Sequence, residues 1–203
     1  MFLNLCLPTP LNPAEKELPL LVYGASTAIG AFAIKLAVLA NIHPIIGVAG
    51  SGSDLAQSIG CDIVVDYRNG NVVEDIKEAL DGRPLLHAFD GVSEEGTAKH
   101  CFQVLSQGGA HVFFSDTADA PEGITTTRTM VSYAQEGPKS QQDTAAAYLR
   151  LLGKWLAEGR YTPHPYEVVE GGLEGVEAGV TRLYENKVSA SKLVYRIADT
   201  PGI

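Results

Sequence analysis

The sequence predicts an α/β fold, a doubly wound parallel sheet covered by helices on both faces, and three observations carry that prediction. Apolar runs that do not alternate with polar residues recur along the chain, as strands buried on both faces require. Each run is followed by 8 to 15 residues at helical spacing, the order that builds a parallel sheet. The first run stops at a turn of small residues and restarts at once as a helix, in LLVYGASTAIGAFAIKLA over residues 20–37.

Residues 1–19 carry Pro8, Pro10, Pro13 and Pro19. Proline fixes φ and removes a backbone donor, so this stretch is expected as an extended lead-in. LLVYG is then a buried strand and AIGAFAIKLAVLAN a helix with Ile29, Phe32, Ala33, Leu36 and Leu39 on one stripe. HPIIGVAG is a strand, SDLAQSIG a short helix opened by Ser53 as N-cap, CDIVVDY a strand and NVVEDIKEAL a helix. LLHAFDGV, SEEGTAKHCFQVL and GGAHVFFS continue as strand, helix, strand. Beyond Ser115 the rhythm changes: TTTRTMVSYA is a further strand, GPKSQQDTAA a polar break and AAYLRLLGKWLAEG an amphipathic helix ending at Gly159. HPYEVV, GGLEGVEAGVTRLYENK and SKLVYRI close the chain as strand, helix, strand.

Composition removes several function classes. Of 203 residues, 45% are hydrophobic and 19% charged, and no apolar run approaches the roughly 20 residues that span a bilayer. MFLNLCLP lacks the basic region and cleavage site of a secretory signal, so a cytoplasmic protein without a membrane partner is expected. A net charge of −9 with no lysine or arginine cluster leaves no footprint for nucleic acid. Cys6, Cys61 and Cys101 form no CxxC pair, and the five histidines show neither HExxH nor HxxxH spacing, so no metal site is expected. Cys61 and Cys101 read as small buried hydrophobes, and His87, His100, His111 and His164 as structural or surface residues.

The turn is where chemistry enters. A strand that runs through small residues straight into a helix aims free N–H groups and the positive end of the helix dipole at one spot, which suits a phosphate. Gly24 makes the turn, Ala25 and Ser26 form the loop, and Gly30 lets the helix pack closely on the sheet. A helix N-terminus contributes only about 0.3 to 2 kcal/mol to an anion, so the remaining affinity must come from a crevice along the sheet edge. The second strand ends Ala49-Gly50-Ser51-Gly52-Ser53, without the acidic residue that binds a ribose 2′-hydroxyl. Small hydroxylated residues there favour NADP, although Asp54 just beyond is unfavourable unless it points away. The missing acid also counts against a methyltransferase.

Two families share such a turn. GASTAIG is similar to the TGxxxGIG fingerprint of short-chain dehydrogenases, with Ala28 in place of a glycine. That family uses a YxxxK pair, in which lysine lowers the tyrosine pKa for proton transfer. Four places after the eight tyrosines stand Thr27, Asn71, Gly137, Leu152, Pro165, Glu170, Val188 and Asp199, none of them lysine, and the NNAG segment is absent. From about Leu20 to Ile197 the chain instead resembles the cofactor half of medium-chain reductases. The branch it resembles is the zinc-independent fungal one, that of ToxD-like oxidoreductases and trans-acting enoyl reductases that partner polyketide synthases. The stretches that carry the resemblance are VYGASTAIGAFAIKLA, NIHPIIGVAG, VVDYR, HAFDGVS, HPYEVVEGGLEGVEAG and KVSASKLVYRI.

The resemblance implies a Rossmann-like NADP site. Ser26, Thr27, Ala28 and Ile29 would form the pyrophosphate loop, and Ala49, Gly50, Ser51 and Gly52 the 2′-phosphate loop. Tyr67 would flank the adenosine end, or simply pack at a strand end. Phe114 and Ser115 would lie near the nicotinamide, with Val188 and Ser189 closing on it. It further implies an NADPH-dependent oxidoreductase of secondary metabolism, passing hydride to the β-carbon of an activated double bond in a small-molecule or carrier-bound enoyl substrate. The alternative is a non-catalytic NADP-binding module, or a subunit completed by a partner. No catalytic residue is assigned, since Asp90 at its strand end reads equally as a turn former.

In that family a GroES-like domain precedes the cofactor domain and holds most of the substrate pocket, and the chain's C-terminal end returns to it. Residues 20–142 are therefore expected as the NADP-binding domain. Residues 143–203 are expected as the returning segment, with apolar faces met by a partner, a polyketide synthase among them, or by self-association.

Overall fold

The computed structural model describes residues 5, 7–113 and 119–202, so Phe114 and Ser115 lie outside the described residues. Strand β1 (Leu20–Tyr23) leads into helix α1 (Ala28–Leu39), followed by β2 (Ile45–Ala49), α2 (Ser53–Ser58) and β3 (Ile63–Asp66). After a helical turn at Tyr67–Asn69 come α3 (Val72–Leu80), β4 (His87–Asp90), α4 (Glu95–Val104), β5 (Ala110–Phe113) and β6 (Thr125–Arg128). These six strands form one parallel sheet in the order β3-β2-β1-β4-β5-β6. The order reverses between β1 and β4, and open sheets of this kind bind ligands at that switch point, outside the carboxyl ends of the strands.

Side chains alternate across β1 and split the core in two. Leu20 and Val22 pack with Ala33, Ile34, Ala37 and Ile45 under α1, while Leu21 and Tyr23 pack with Ile46, Val48, Ile76, Leu85 and Cys101 under α3 and α4. The doubly wound class expected from the sequence is the one observed.

Three local expectations are corrected. The buried face of α1 is Gly30, Ala31, Ala33, Ile34, Lys35 and Ala37, while Ile29 is 47% exposed. Helix α1 is apolar nearly all round because the sheet covers one side and residues 161–164 the other, so periodicity alone misplaces the stripe. On the outer side Phe32 stacks on Tyr161, and the buried Lys35 Nζ donates to the carbonyls of Thr162 (3.0 Å) and Pro163 (2.9 Å). Second, Ser53 is the first residue of α2 rather than its cap. Its hydroxyl donates to the Gly50 carbonyl at 2.6 Å, and Gly52 takes the cap position without a side-chain bond.

The third correction is the polar break. Residues 139–146 belong to helix α6 (Lys139–Ala157), which follows a one-turn helix α5 (Tyr133–Glu136). Polar side chains here support the helix: Lys139 pairs with Asp143 one turn on at 2.6 Å, and Gln142 Nε2 donates to the Gly137 carbonyl at 2.7 Å. Thr125–Arg128 alone forms the strand expected over TTTRTMVSYA.

The chain ends in a small parallel unit of β7 (Tyr166–Val169), α7 (Val176–Tyr184) and β8 (Lys192–Tyr195). Arg182 on α7 grips Glu167 on β7 through two hydrogen bonds of 2.6 and 2.8 Å. Trp155 and Tyr161 are buried, but Leu149 (66% exposed), Tyr166 (63%), Leu183 (53%), Tyr184 (85%) and Ile197 (61%) face outward. No described helix is long and apolar enough to cross a membrane.

Burial holds the imidazoles of His164 and His87 below the ordinary histidine range, helped at His164 by the charges of Lys35 and Lys192. The unfolded chain takes up these protons near pH 6.5, the folded chain only at lower pH, so stability falls as pH drops below about 6.5. Unfolding free energies from urea titrations at pH 7.5 to 5.5 are expected to decline, by at most about 1.4 kcal/mol per pH unit per histidine. His164→Gln is expected to flatten the curve, and an unchanged slope in that variant would refute the assignment.

Candidate functional site

The turn after β1 is built for close approach. Gly24 sits at φ +72°, and Thr27 caps α1, its hydroxyl donating to the Gly24 carbonyl (2.8 Å) and accepting from the Gly30 N–H (3.0 Å). A Cβ on Gly30 would run into the carbonyl oxygen of Gly24. Ala28 and Ile29 open the helix, where N–H groups have no intrahelical acceptor, so the turn offers donors and a positive dipole end to the space above it.

That space is a crevice of about 360 Å³ at the switch point. Tyr23, Gly24, Ser26 and Thr27 line it from β1 and the turn, and Val48, Ala49, Gly50 and Ser51 from β2. Tyr67, Val92, Glu94, Thr97 and Ser189 complete the wall. The structure thus brings Ser26, Thr27, Ala49, Gly50, Ser51, Tyr67 and Ser189 to one crevice, while Ala28, Ile29 and Gly52 follow wall residues in the chain but are not in the wall. The Tyr67 ring lies so close over Gly50 that an added Cβ would meet it at 2.8 Å. Exposed Asp54 is not part of the wall.

Ser189 arrives from the far end of the chain. Its hydroxyl lies 2.8 Å from that of Ser51, and a Cβ on Gly52 would meet both Ser26 and Ala190. The loop between α7 and β8 therefore stands over the end of β2. Val188 is on the same loop but not in the wall.

Sequence reasoning named Asp90 at its strand end but did not bring Tyr23, Val92, Glu94 and Thr97 to the crevice; Asp90 organises the loop on the β4 side. Its Oδ1 accepts from the N–H groups of Val92 (2.9 Å) and Ser93 (2.8 Å), and its Oδ2 from the Thr97 hydroxyl (2.6 Å). The loop then approaches the turn, with the Gly91 N–H on the Tyr23 carbonyl at 2.9 Å. Asp90 is fully buried, and burial opposes its charge. Nearby His111 and the donors of Thr97, Ser93 and Val92 prevail and hold the carboxyl below the ordinary range. Tyr23 reaches across to His100 Nδ1 at 3.0 Å, and burial together with nearby acidic groups pushes its phenol up to about 12, so it lines the crevice as a neutral hydroxyl. The signal that could have found this wall is the strand order: the loop after β4 must face the turn after β1 once the two strands are neighbours.

Together these features make an anion-binding turn beside a largely neutral crevice. The wall contains no lysine or arginine, and Glu94 is its single charged residue among those described. The glycine cradle fits a dinucleotide, since backbone approaches closely where side chains would block it.

The chain is similar to dehydrogenases and reductases. The family model for zinc-binding dehydrogenase matches residues 28–135. Trans-enoyl reductase fsr4 of Gibberella fujikuroi (strain CBS 195.34) is 34% identical over 187 residues, 86% of this chain and 54% of the relative. Trans-enoyl reductase resD of Aspergillus sclerotiorum is 34% identical over 206 residues, 93% of this chain and 57% of the relative. The chain thus spans about half the length of the curated relatives it matches. Among solved structures, a quinone oxidoreductase of Pseudomonas syringae pv. Tomato superposes with a TM-score of 0.72 at 20% identity, covering 91% of this chain and 58% of that one. Escherichia coli quinone oxidoreductase complexed with NADPH superposes with a TM-score of 0.70 at 18% identity, covering 87% of this chain and 57% of that one.

Proposed function

Because the chain belongs to the medium-chain dehydrogenase/reductase family and forms its cofactor-binding half, we propose that it binds NADP(H) in the crevice and serves an NADPH-dependent reduction of the enoyl-reductase type. The observation that carries this reading is the crevice itself, with a small-residue turn at one end and an acid-free strand end at the other. The bound nicotinamide supplies the hydride chemistry. The protein's part is to hold and orient. The N–H groups of Ala28 and Ile29, with Ser26 and Thr27 beside them, take the pyrophosphate. Ala49, Gly50, Ser51 and Gly52 take the 2′-phosphate, with Tyr67 flanking the adenosine. We assign Ser189 to that same end, because its hydroxyl is paired with Ser51. Phe114 and Ser115 are proposed for the nicotinamide end, whereas Val188, next to Ser189 in the chain, goes with the phosphate end rather than the nicotinamide.

The substrate class is an enoyl group on a small molecule or a carrier, in the cytoplasm, by analogy with the trans-enoyl reductases it resembles. Residues 20–142 serve as the dinucleotide unit. Residues 143–203 meet a GroES-like domain, a polyketide synthase or a second copy through their outward-facing apolar residues. Helix α6 runs across that boundary and joins the two parts. A second reading, a binding module completed by another polypeptide, is favoured by the same exposed residues.

Thermal unfolding with NADPH and NADH separates these readings, because a ligand that binds only the folded state raises its stability. At a hundred times Kd the gain is about 2.7 kcal/mol, or about 5–10 °C for a chain of this size. A larger shift with NADPH than with NADH is expected. Equal or greater stabilisation by NADH would overturn the cofactor assignment, and no shift with either would overturn nucleotide binding. A shift without reduction of any enoyl thioester would favour the binding module.

A further inference from the structure

Directly behind the crevice wall, three elements bring together Asp90 from the end of β4, Cys101 from the middle of α4 and His111 from β5. All three side chains are fully buried, and a carboxylate oxygen, the thiol sulfur and an imidazole nitrogen lie within 4.8 Å of one another. Among the described residues neither ring nitrogen of His111 has a hydrogen-bond partner, although buried polar atoms normally do. Its Nε2 stands 3.7 Å from Asp90 Oδ2, which is beyond hydrogen-bond reach. Two ligands sharing a tetrahedral zinc, with bonds of about 2.0–2.2 Å, are about 3.4 Å apart, so this spacing is nearer to a shared ion than to a direct bond.

Charge points the same way. Among the described residues the buried Asp90 carboxylate meets no lysine or arginine, only the neutral donors of Val92, Ser93 and Thr97 and the imidazole of His111. A carboxylate, a thiolate and a neutral imidazole around one divalent ion sum to zero, the condition a dry interior favours. Mixed oxygen, sulfur and nitrogen donors suit Zn²⁺ over Mg²⁺ or Ca²⁺. Phe102 and Phe113 pack against the imidazole with ring centroids 5.1 and 5.5 Å away, so the surroundings are apolar.

We propose that Asp90, Cys101 and His111 form a buried structural site for a zinc-like divalent cation that bolts α4 to β4 and β5 behind the crevice. Three protein donors leave a tetrahedral ion a fourth position, but all three are buried and none lines the crevice, so the ion stands apart from the nucleotide site. The three residues lie 11 and 10 apart along the chain on a strand, a helix and a strand, a spacing no metal motif describes.

The test uses the full chain, stripped with EDTA and titrated with Co²⁺ as the spectroscopic probe. One equivalent is expected to bind, with the near-ultraviolet charge-transfer band of a cobalt–thiolate bond, and Zn²⁺ should displace it. Cys101→Ser is expected to lose the band and Cys61→Ser to keep it. X-ray absorption of the loaded wild-type protein provides a reading independent of any variant's folding, with one sulfur and otherwise nitrogen or oxygen neighbours expected. Absence of stoichiometric binding, a cobalt shell without sulfur, or a band that survives in Cys101→Ser overturns the site. An Asp90–His111 pair that works without metal would give the first of these outcomes.

Discussion

Gly30→Ala is expected to destabilise the protein by about 3 kcal/mol or more and to weaken NADPH binding at least tenfold. The added methyl runs into the Gly24 carbonyl oxygen and comes within 3.2 Å of the Ala25 Cα, all backbone atoms of the turn. No rotamer change relieves such a clash, so either α1 lifts from the sheet or the turn opens, and overpacking of this kind typically costs about 1–3 kcal/mol even where side chains can yield. The same substitution at Gly153 supplies the control. Gly153 lies inside α6 with nothing within 4 Å of its missing Cβ, so alanine there is expected to stabilise by about 0.5–1 kcal/mol. Urea unfolding and isothermal titration with NADPH measure both. A neutral Gly30→Ala would show that the turn is softer than its geometry indicates.

Asp90→Ala is expected to cost about 3–5 kcal/mol in metal-stripped protein, because it removes the carboxylate that accepts from the Val92 and Ser93 N–H groups and from the Thr97 hydroxyl, leaving that hydroxyl only the Glu94 carbonyl. Asp90→Asn keeps an oxygen for the Val92 and Ser93 N–H groups and is expected to cost about 1–2 kcal/mol. The urea midpoint at fixed m-value is the measurement. Equal effects of the two variants would mean that the loop does not depend on those acceptors.

The sheet was legible because buried parallel strands write themselves as unbroken apolar runs, as LLVY and IIGVA do. The small-residue turn after β1 was legible because every constraint on it is local, from Gly24 to Gly30. Helix α1 was less so, since a helix covered on both sides has no single apolar stripe to find. Helix α6 began earlier than composition indicated, because Lys139, Gln142 and Asp143 support helix and surface equally well. Val92, Glu94 and Thr97 came to the crevice through the strand order, which places β4 beside β1 across more than sixty residues of chain. Asp90, Cys101 and His111 meet for the same reason, and no spacing rule reaches them.

The hydroxyl contact between Ser51 and Ser189 has a consequence in time. During synthesis the strands of the parallel sheet are complete once Arg128 has been added, yet the crevice lacks part of its wall until Ser189 follows. At about 5–20 residues per second that interval is about 3–12 seconds. A nascent chain in that window has a folded sheet with a crevice still open on the Ser189 side, so, if the crevice holds NADP(H) as proposed, nucleotide retention on ribosome-bound chains of increasing length is expected to rise only after residue 189 emerges. On that reading, occupancy of the crevice would report that the chain has been made through its late loop.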